Sequence, residues 1–136
     1  MEIHIPLSDR ELAVHTLPAL VFTSGSNAGY IEVTLQSEEP LPLKRLYDGL
    51  RLHVPGELEL LPPTAHDETG TGAVFMFFSA EVSNSGRLPH AVGLVWGENG
   101  QRPIAPLAFE EAGSERLREM GGDPELAGQQ TRSDIE

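Results

Sequence analysis

The sequence predicts an all-β protein, an antiparallel β-sandwich or a small barrel, followed by a short C-terminal helix and an acidic tail. Short apolar or alternating runs recur along residues 1–109, separated by turn residues every 8 to 12 positions or so, as in sandwiches and barrels. The 14 glycines and 11 prolines favour many turns over long helices. The chain has no cysteine, which excludes disulfides, thiol chemistry and cysteine-ligated metal sites.

The N-terminal part begins with alternating residues. Ile3 and Ile5 alternate with polar neighbours, which predicts a first strand, and Pro6 confines that strand to a sheet edge because it has no N–H to donate. A short apolar run at residues 19–22 predicts another strand. Residues 30–36 show the clearest alternation of apolar and polar side chains, which is typical of an antiparallel strand with one solvated side.

The next segment predicts a helical turn and a further strand. Residues 43–49 have the composition of a short helix that ends at Gly49, and residues 50–54 alternate again. Leu58 and Leu60 continue the alternation after a Pro-Gly turn, so this part forms one bent strand or a hairpin. Residues 62–72 are polar and are predicted to form a long loop.

Residues 72–97 form the stretch around which the rest of the chain is expected to pack. Residues 73–78 are all apolar and predict a strand buried on both faces. Alternation at Ala80 and Val82 extends this strand to a turn at residues 83–86. The next strand, residues 91–96, is apolar on both sides and carries the only tryptophan, Trp96, which we expect to be a core residue.

A hairpin is predicted directly after Trp96. Asn99-Gly100 is the strongest hairpin signal in the chain, because a type I′ turn needs positive φ at both central residues. Pro103 cannot donate to a β-ladder, so the returning segment, residues 101–109, is at best an edge strand.

One segment resembles a known family. Residues 78–86, FSAEVSNSG, followed by Pro89 and the strand to Trp96, resemble the strand, Asn-x-Gly turn and strand of many immunoglobulin-like domains. The motif is generic and covers a small part of the chain. The resemblance implies a sandwich fold and implies nothing about partners.

The chain divides into a β domain, residues 1–109, and an acidic C-terminal segment, residues 110–136. The C-terminal segment contains eight acids and three arginines. Ser114 is a candidate cap for a short helix that carries Leu117 and Met120, and two glycines end this helix. We expect the remainder of the segment to be disordered.

Charge limits the kinds of partner. The net charge is −12, with nine basic residues spread thinly, so direct binding of nucleic acid is disfavoured. An acidic charge of this size most often serves solubility. A protein partner or self-association is expected instead of nucleic acid, and a basic partner is one option because of electrostatic steering. The N-terminus lacks the pattern of a secretory signal and no run of apolar residues is long enough to span a membrane. A soluble, cytoplasmic protein without membrane partners is therefore expected.

Candidate chemistry is sparse. His66, Asp67 and Glu68 are adjacent, and with His53 they provide nitrogen and oxygen ligands that suit zinc, nickel or manganese. Their spacing matches no recognised metal motif, so a solvated charged loop is the better interpretation. No catalytic residue and no cofactor is predicted, because scattered serines and histidines occur without a nucleophile motif.

The sequence therefore favours a non-enzymatic interaction or structural module, such as an inhibitor or immunity-type protein, or a virion assembly protein. Contacts are expected at strand edges, which offer unpaired backbone groups, at Ile3 and Ile5 and at Pro103 and Ile104. The alternative is a small metal-dependent enzyme or ligand-binding protein that uses His53 and the residues 66–68 named above.

Overall fold

The computed structural model describes residues 1–97 and 100–112. The helices are α1 (Leu43–Gly49) and α2 (Ala80–Ser85), and Gly25–Asn27 form a 3₁₀ turn. The strands are β1 (Glu2–Pro6), β2 (Glu11–Thr16), β3 (Ala19–Phe22), β4 (Tyr30–Gln36), β5 (Leu50–His53), β6 (Pro63–Thr69), β7 (Gly72–Phe78), β8 (Gly93–Trp96), β9 (Arg102–Pro106) and β10 (Phe109–Ala112). The predicted C-terminal helix and acidic tail lie outside the described residues, apart from residues 110–112, which belong to β10.

The strands form two sheets. In the larger sheet, β7 lies between β6 and β4 and is antiparallel to both. The other side of β4 pairs with β3 near its start and with β2 near its end. Strand β1 continues the sheet beside β2, and β10 runs parallel to β3. The smaller sheet has the antiparallel order β5-β8-β9.

This architecture confirms the predicted all-β class at the level of antiparallel sheets. Within the described residues neither sheet closes into a barrel, so the barrel alternative is wrong. The reason is visible in the ladders, since in the described part of the chain strands β1, β6 and β10 of the large sheet each pair on one side only. In the described part of the chain, neither helix is long and apolar enough to cross a membrane.

One hydrophobic core joins the two sheets. Alternate residues of β4 and β7 project to the same side, because antiparallel partners share a face. We call this side the inner face. The two helices and the smaller sheet contribute to the same cluster, through Leu46 of α1, Val82 of α2 and Trp96 of β8. Trp96 is 1% exposed, which confirms its predicted core position. The inner-face residues of the two central strands are Ile31, Val33, Leu35, Ala73, Phe75 and Phe77.

Several local predictions are confirmed. The predicted helical turn at residues 43–49 is α1, and β8 and β9 form the predicted hairpin with β9 at the edge. The turn residues Glu98 and Asn99 lie outside the described residues. After β5 the chain turns back, and Leu61 forms an isolated bridge with Leu52. Of the two predictions for this segment, the hairpin therefore agrees better with the structure than the single bent strand does.

Helix α2 overturns the prediction that the strand runs on past Phe78 to a turn at residues 83–86. The segment that resembles an immunoglobulin-like strand and turn is in fact strand end and helix. Ser79 ends the extended chain and caps the helix, because its Oγ accepts from the Val82 N–H at 3.1 Å. Gly86 closes the helix at φ 68°, the left-handed conformation that favours glycine. Six residues are too few to distinguish a period of two from a period of 3.6.

Ser79→Ala is expected to lower the free energy of unfolding by about 1–2 kcal/mol, the upper part of the range for loss of a helix cap. Ser79 is fully buried, and its hydroxyl also donates to Glu57 Oε2 at 2.6 Å. The same oxygen accepts from the Glu81 N–H at 2.8 Å, so one carboxylate joins the loop to the first turn of α2. Urea unfolding followed by circular dichroism measures the change.

Ser24→Ala is the matched control for this substitution. Ser24 precedes the 3₁₀ turn in the capping position, yet its side chain makes no capping hydrogen bond and is exposed. We expect a change within about 0.5 kcal/mol for this exposed site. Equal losses for the two variants would show that the contacts of Ser79 do not stabilise the fold.

Candidate interaction site

Strand β6 corrects the predicted loop between Pro62 and Gly72. All residues from Thr64 to Thr69 are exposed, so neither face of the strand has an apolar stripe and no alternation reveals it in the sequence. What makes the segment a strand is its antiparallel pairing with the buried strand β7. The register shifts by one residue between Pro63 and Ala65, where proline supplies no ladder donor.

The turn between β6 and β7 fixes which backbone groups of β6 face outward. Gly70 and Thr71 form a two-residue loop, and Gly70 has φ 62°, as the first central position of a type II′ hairpin turn requires. Thr69 and Gly72, which flank this loop, therefore form a hydrogen-bonded pair. Since such pairs alternate along an antiparallel ladder, the backbone N–H and C=O of His66 and Glu68 point away from β7.

Side chains on β6 divide between its two sides. His66 lies above Phe75 on the inner-face side, with ring centroids 5.9 Å apart and planes 22° apart. The ring of Tyr47 from α1 packs against His66 at 5.0 Å. Asp67 pairs with Val74 and so projects to the opposite side. The strand contains two acids and neither lysine nor arginine, so its free edge is negatively charged.

The candidate metal ligands are not brought together. His66 and Glu68 lie on one side of β6 and Asp67 on the other, because successive residues of a strand alternate. His53 is exposed on β5 of the smaller sheet. Among residues 1–97 and 100–112 there is no group of three or more histidine or acidic residues that could hold a metal ion.

The two strands that were expected to make contacts, β1 and β9, both lie at sheet edges. Within residues 1–97 and 100–112, β1 pairs only with β2, and β9 pairs only with β8. The side chains of Ile3 and Ile5 face the core and are at most 4% exposed, and Ile104 packs against the same core. Pro103 is exposed. β1 and β9 are also neighbours across the sheets, and β6 has contacts of the same kind with β5 and α1. Among the described residues, no strand pairs with the outer edge of β6.

The surface also has two open depressions away from the outer edge of β6. One, of about 420 Å³, lies between α2 and the loop of residues 55–62, where the side chain of Leu58 is fully exposed. The other, of about 680 Å³, lies beside β1 and β2 and is lined by three glutamates, Glu2, Glu38 and Glu39, together with His15. Neither contains a buried polar group directed into it, so we do not place the site in them.

Comparison with known proteins gives no assignment: no family model matches the chain, and no curated protein or solved structure matches it significantly.

Proposed function

We propose that this protein is a non-enzymatic binding module that captures an extended, basic segment of a partner protein by adding it as a strand to the outer edge of β6. The observation that carries the proposal is the edge itself. Strand β6 is seven residues long and is exposed along nearly its whole length, and among the described strands it pairs with β7 alone. A scaffold of two facing sheets, which we interpret as a β-sandwich, holds this edge rigidly.

The backbone of β6 supplies the affinity in this proposal. The outward N–H and C=O groups of His66 and Glu68 can each form ladder hydrogen bonds with an added strand. A typical hydrogen bond contributes a net 0.5–1.5 kcal/mol or so. Four such bonds support weak, reversible binding once the ordering of the added segment is subtracted.

Charge selects the partner. The chain carries 21 acidic and nine basic residues, and β6 adds Asp67 and Glu68 at the binding edge. An incoming strand with lysine or arginine side chains is therefore steered toward this edge and paired across it. The same acids oppose pairing of β6 with a second copy of itself, because like charges on paired strands repel each other.

Two labelled peptides of opposite charge, KTKTKT and ETETET, test the proposal by fluorescence anisotropy. We expect the basic peptide to bind and the acidic peptide not to bind, with weaker binding of the basic peptide at high salt because salt screens exposed charges. Glu68→Pro removes one outward N–H and blocks the edge. We expect at least tenfold weaker binding, which corresponds to about 1.4 kcal/mol.

Glu68→Thr is the matched control, since it removes the same charge but keeps the N–H and a residue that favours strands. Its binding should fall by about threefold or less, the effect of one exposed charge pair. Equal losses in the two variants would show that charge alone binds the peptide. Failure of the unmodified chain to bind the basic peptide, or a concentration-dependent dimer in light scattering that Glu68→Pro abolishes, would contradict capture of a basic partner.

A further inference from the structure

The larger sheet has a second face, turned away from the core. Register places Glu32 opposite Met76 and Thr34 opposite Val74, and Leu20 opposite Glu32 on the next strand. Antiparallel partners project to the same side, so these five residues form one patch in the middle of the sheet. We call it the outer face.

Three of the five outer-face residues are hidden from solvent, and Leu20 and Thr34 are half-buried. Val74 is 6% exposed, Met76 is 4% exposed and Glu32 is 3% exposed. The smaller sheet and both helices contribute instead to the core cluster on the inner face, through residues such as Leu46, Val82 and Leu94. The described residues therefore include no helix or sheet that packs over the outer face. Val74 and Met76 are large apolar side chains whose burial stabilises the fold only if something covers them.

We propose that residues 113–122 of this same chain bind the outer face, with Leu117 and Met120 packed against Val74 and Met76. The position of the last described strand supports this occupant. Strand β10 ends at Ala112 beside Phe22 of β3, so the chain leaves the sheet two strands from β4 and three from β7. Three strand spacings are about 14 Å.

The length of the segment is sufficient for this distance. Leu117 and Met120 follow Ala112 by five and eight residues, which span about 8 and 12 Å when helical and about 17 and 27 Å when extended. With residues 113 and 114 extended and a helix after them, both side chains reach β7. In a helix, Leu117 and Met120 are three positions apart and share one side, which provides the apolar stripe that Val74 and Met76 require. The proposed contact between residues 113–122 and the outer face is thus based on the sequence of the segment and on the position at which β10 ends.

Charge complementarity supports the same occupant. Glu32 is a carboxylate in the middle of an apolar patch, and a carboxylate in such surroundings favours a cationic neighbour. The segment contains Arg116 and Arg118 on either side of Leu117. These arginines distinguish the segment from the rest of the C-terminal region, in which the remaining basic residue is Arg132.

Thiol labelling of the full-length chain tests this proposal, because the protein has no cysteine of its own. A Val74→Cys variant places one thiol on the outer face, and Leu58→Cys provides a fully exposed reference. We expect the thiol at 74 to react with a small disulfide reagent at least tenfold more slowly than the reference. Adding Leu117→Glu and Met120→Glu should raise its rate toward that of the reference.

Gln129→Glu with Gln130→Glu is the matched control, since it adds the same two charges outside the proposed binding segment and should leave the thiol protected. Circular dichroism confirms that each variant is folded. Fast labelling of the thiol in the otherwise unmodified chain overturns the proposal without any second substitution. The proposal is also overturned if the thiol at position 74 is equally protected in the variant with glutamate at 117 and 120 and in the variant with glutamate at 129 and 130. Protection that disappears on dilution also overturns it, because the occupant is then a second copy.

Discussion

Replacing Trp96 with alanine is expected to lower the free energy of unfolding by about 3–5 kcal/mol, the range for truncation of a buried aromatic side chain. Trp96 is 1% exposed in the core between the two sheets. Gly49, at the end of α1, lies against the indole ring so closely that a Cβ there would be 2.6 Å from Cη2. The loss combines the lost transfer of a large apolar side chain with a cavity that these rigid neighbours cannot fill.

Trp96→Phe separates ring packing from the indole N–H. Within the described residues nothing accepts a hydrogen bond from Nε1, which is buried, so removal of that N–H leaves no acceptor unsatisfied. We expect the phenylalanine variant to lose less than half of what the alanine variant loses. Both are followed by circular dichroism in urea, because the substitutions remove the only tryptophan fluorophore. A loss below about 1 kcal/mol for Trp96→Ala would contradict a close-packed core at this position.

Most elements predicted from the sequence have an apolar pattern, although β2 has one too and was not predicted. The burial of β7 on both sides follows from a continuous apolar run, and alternation correctly predicts the inward side of β4. The predicted solvated side of β4 is wrong at Glu32, which is 3% exposed, because alternation does not show what covers the other side of a strand. The edge position of β9 follows from Pro103, which lacks an N–H. In each case one local signal is enough, because the side chains that create the pattern are also the ones that the core buries.

Elements stabilised by pairing or capping were not predictable in this way. Strand β6 is exposed on both sides, so its residues carry no pattern, and its structure comes from the ladder with β7. Helix α2 depends on a serine cap and on Glu57, which lies 22 residues before Ser79. A contact of that sequence separation leaves no local trace, and alternation over six residues favours a strand equally well.

The candidate site illustrates the same limit. His66, Asp67 and Glu68 could be singled out because their side chains are suited to chemistry, and a polar loop made a metal site conceivable. Their placement on one exposed edge strand separates Asp67 from the other two and makes the backbone, rather than the side chains, the group available for binding. Backbone availability depends on register, and register is set by the turn at Gly70 and by β7.

Gly72→Ala is expected to lower the free energy of unfolding by about 3 kcal/mol, the upper part of the usual range for overpacking. Gly72 begins β7, is buried, and pairs with Gln36 on one side and with Thr69 on the other. A Cβ at this position would overlap the carbonyl oxygen of Leu35. That oxygen belongs to the backbone of β4, which is held between β2 and β7, so neither strand can move aside without breaking ladder hydrogen bonds.

Two other glycines separate this steric cost from backbone strain. A Cβ at Gly93 of β8 meets only the Cβ of His53, at 3.8 Å, and we expect Gly93→Ala to change stability by about 0.5 kcal/mol or less. Gly70 has open space around it but a φ of 62°, so Gly70→Ala should cost about 1 kcal/mol through conformation alone. Urea unfolding of the three variants should rank them 72, 70, 93. If Gly72→Ala loses no more stability than Gly70→Ala, β4 and β7 can separate at this end. The β4–β7 ladder would then not hold β7 in place as the strand with which β6 pairs.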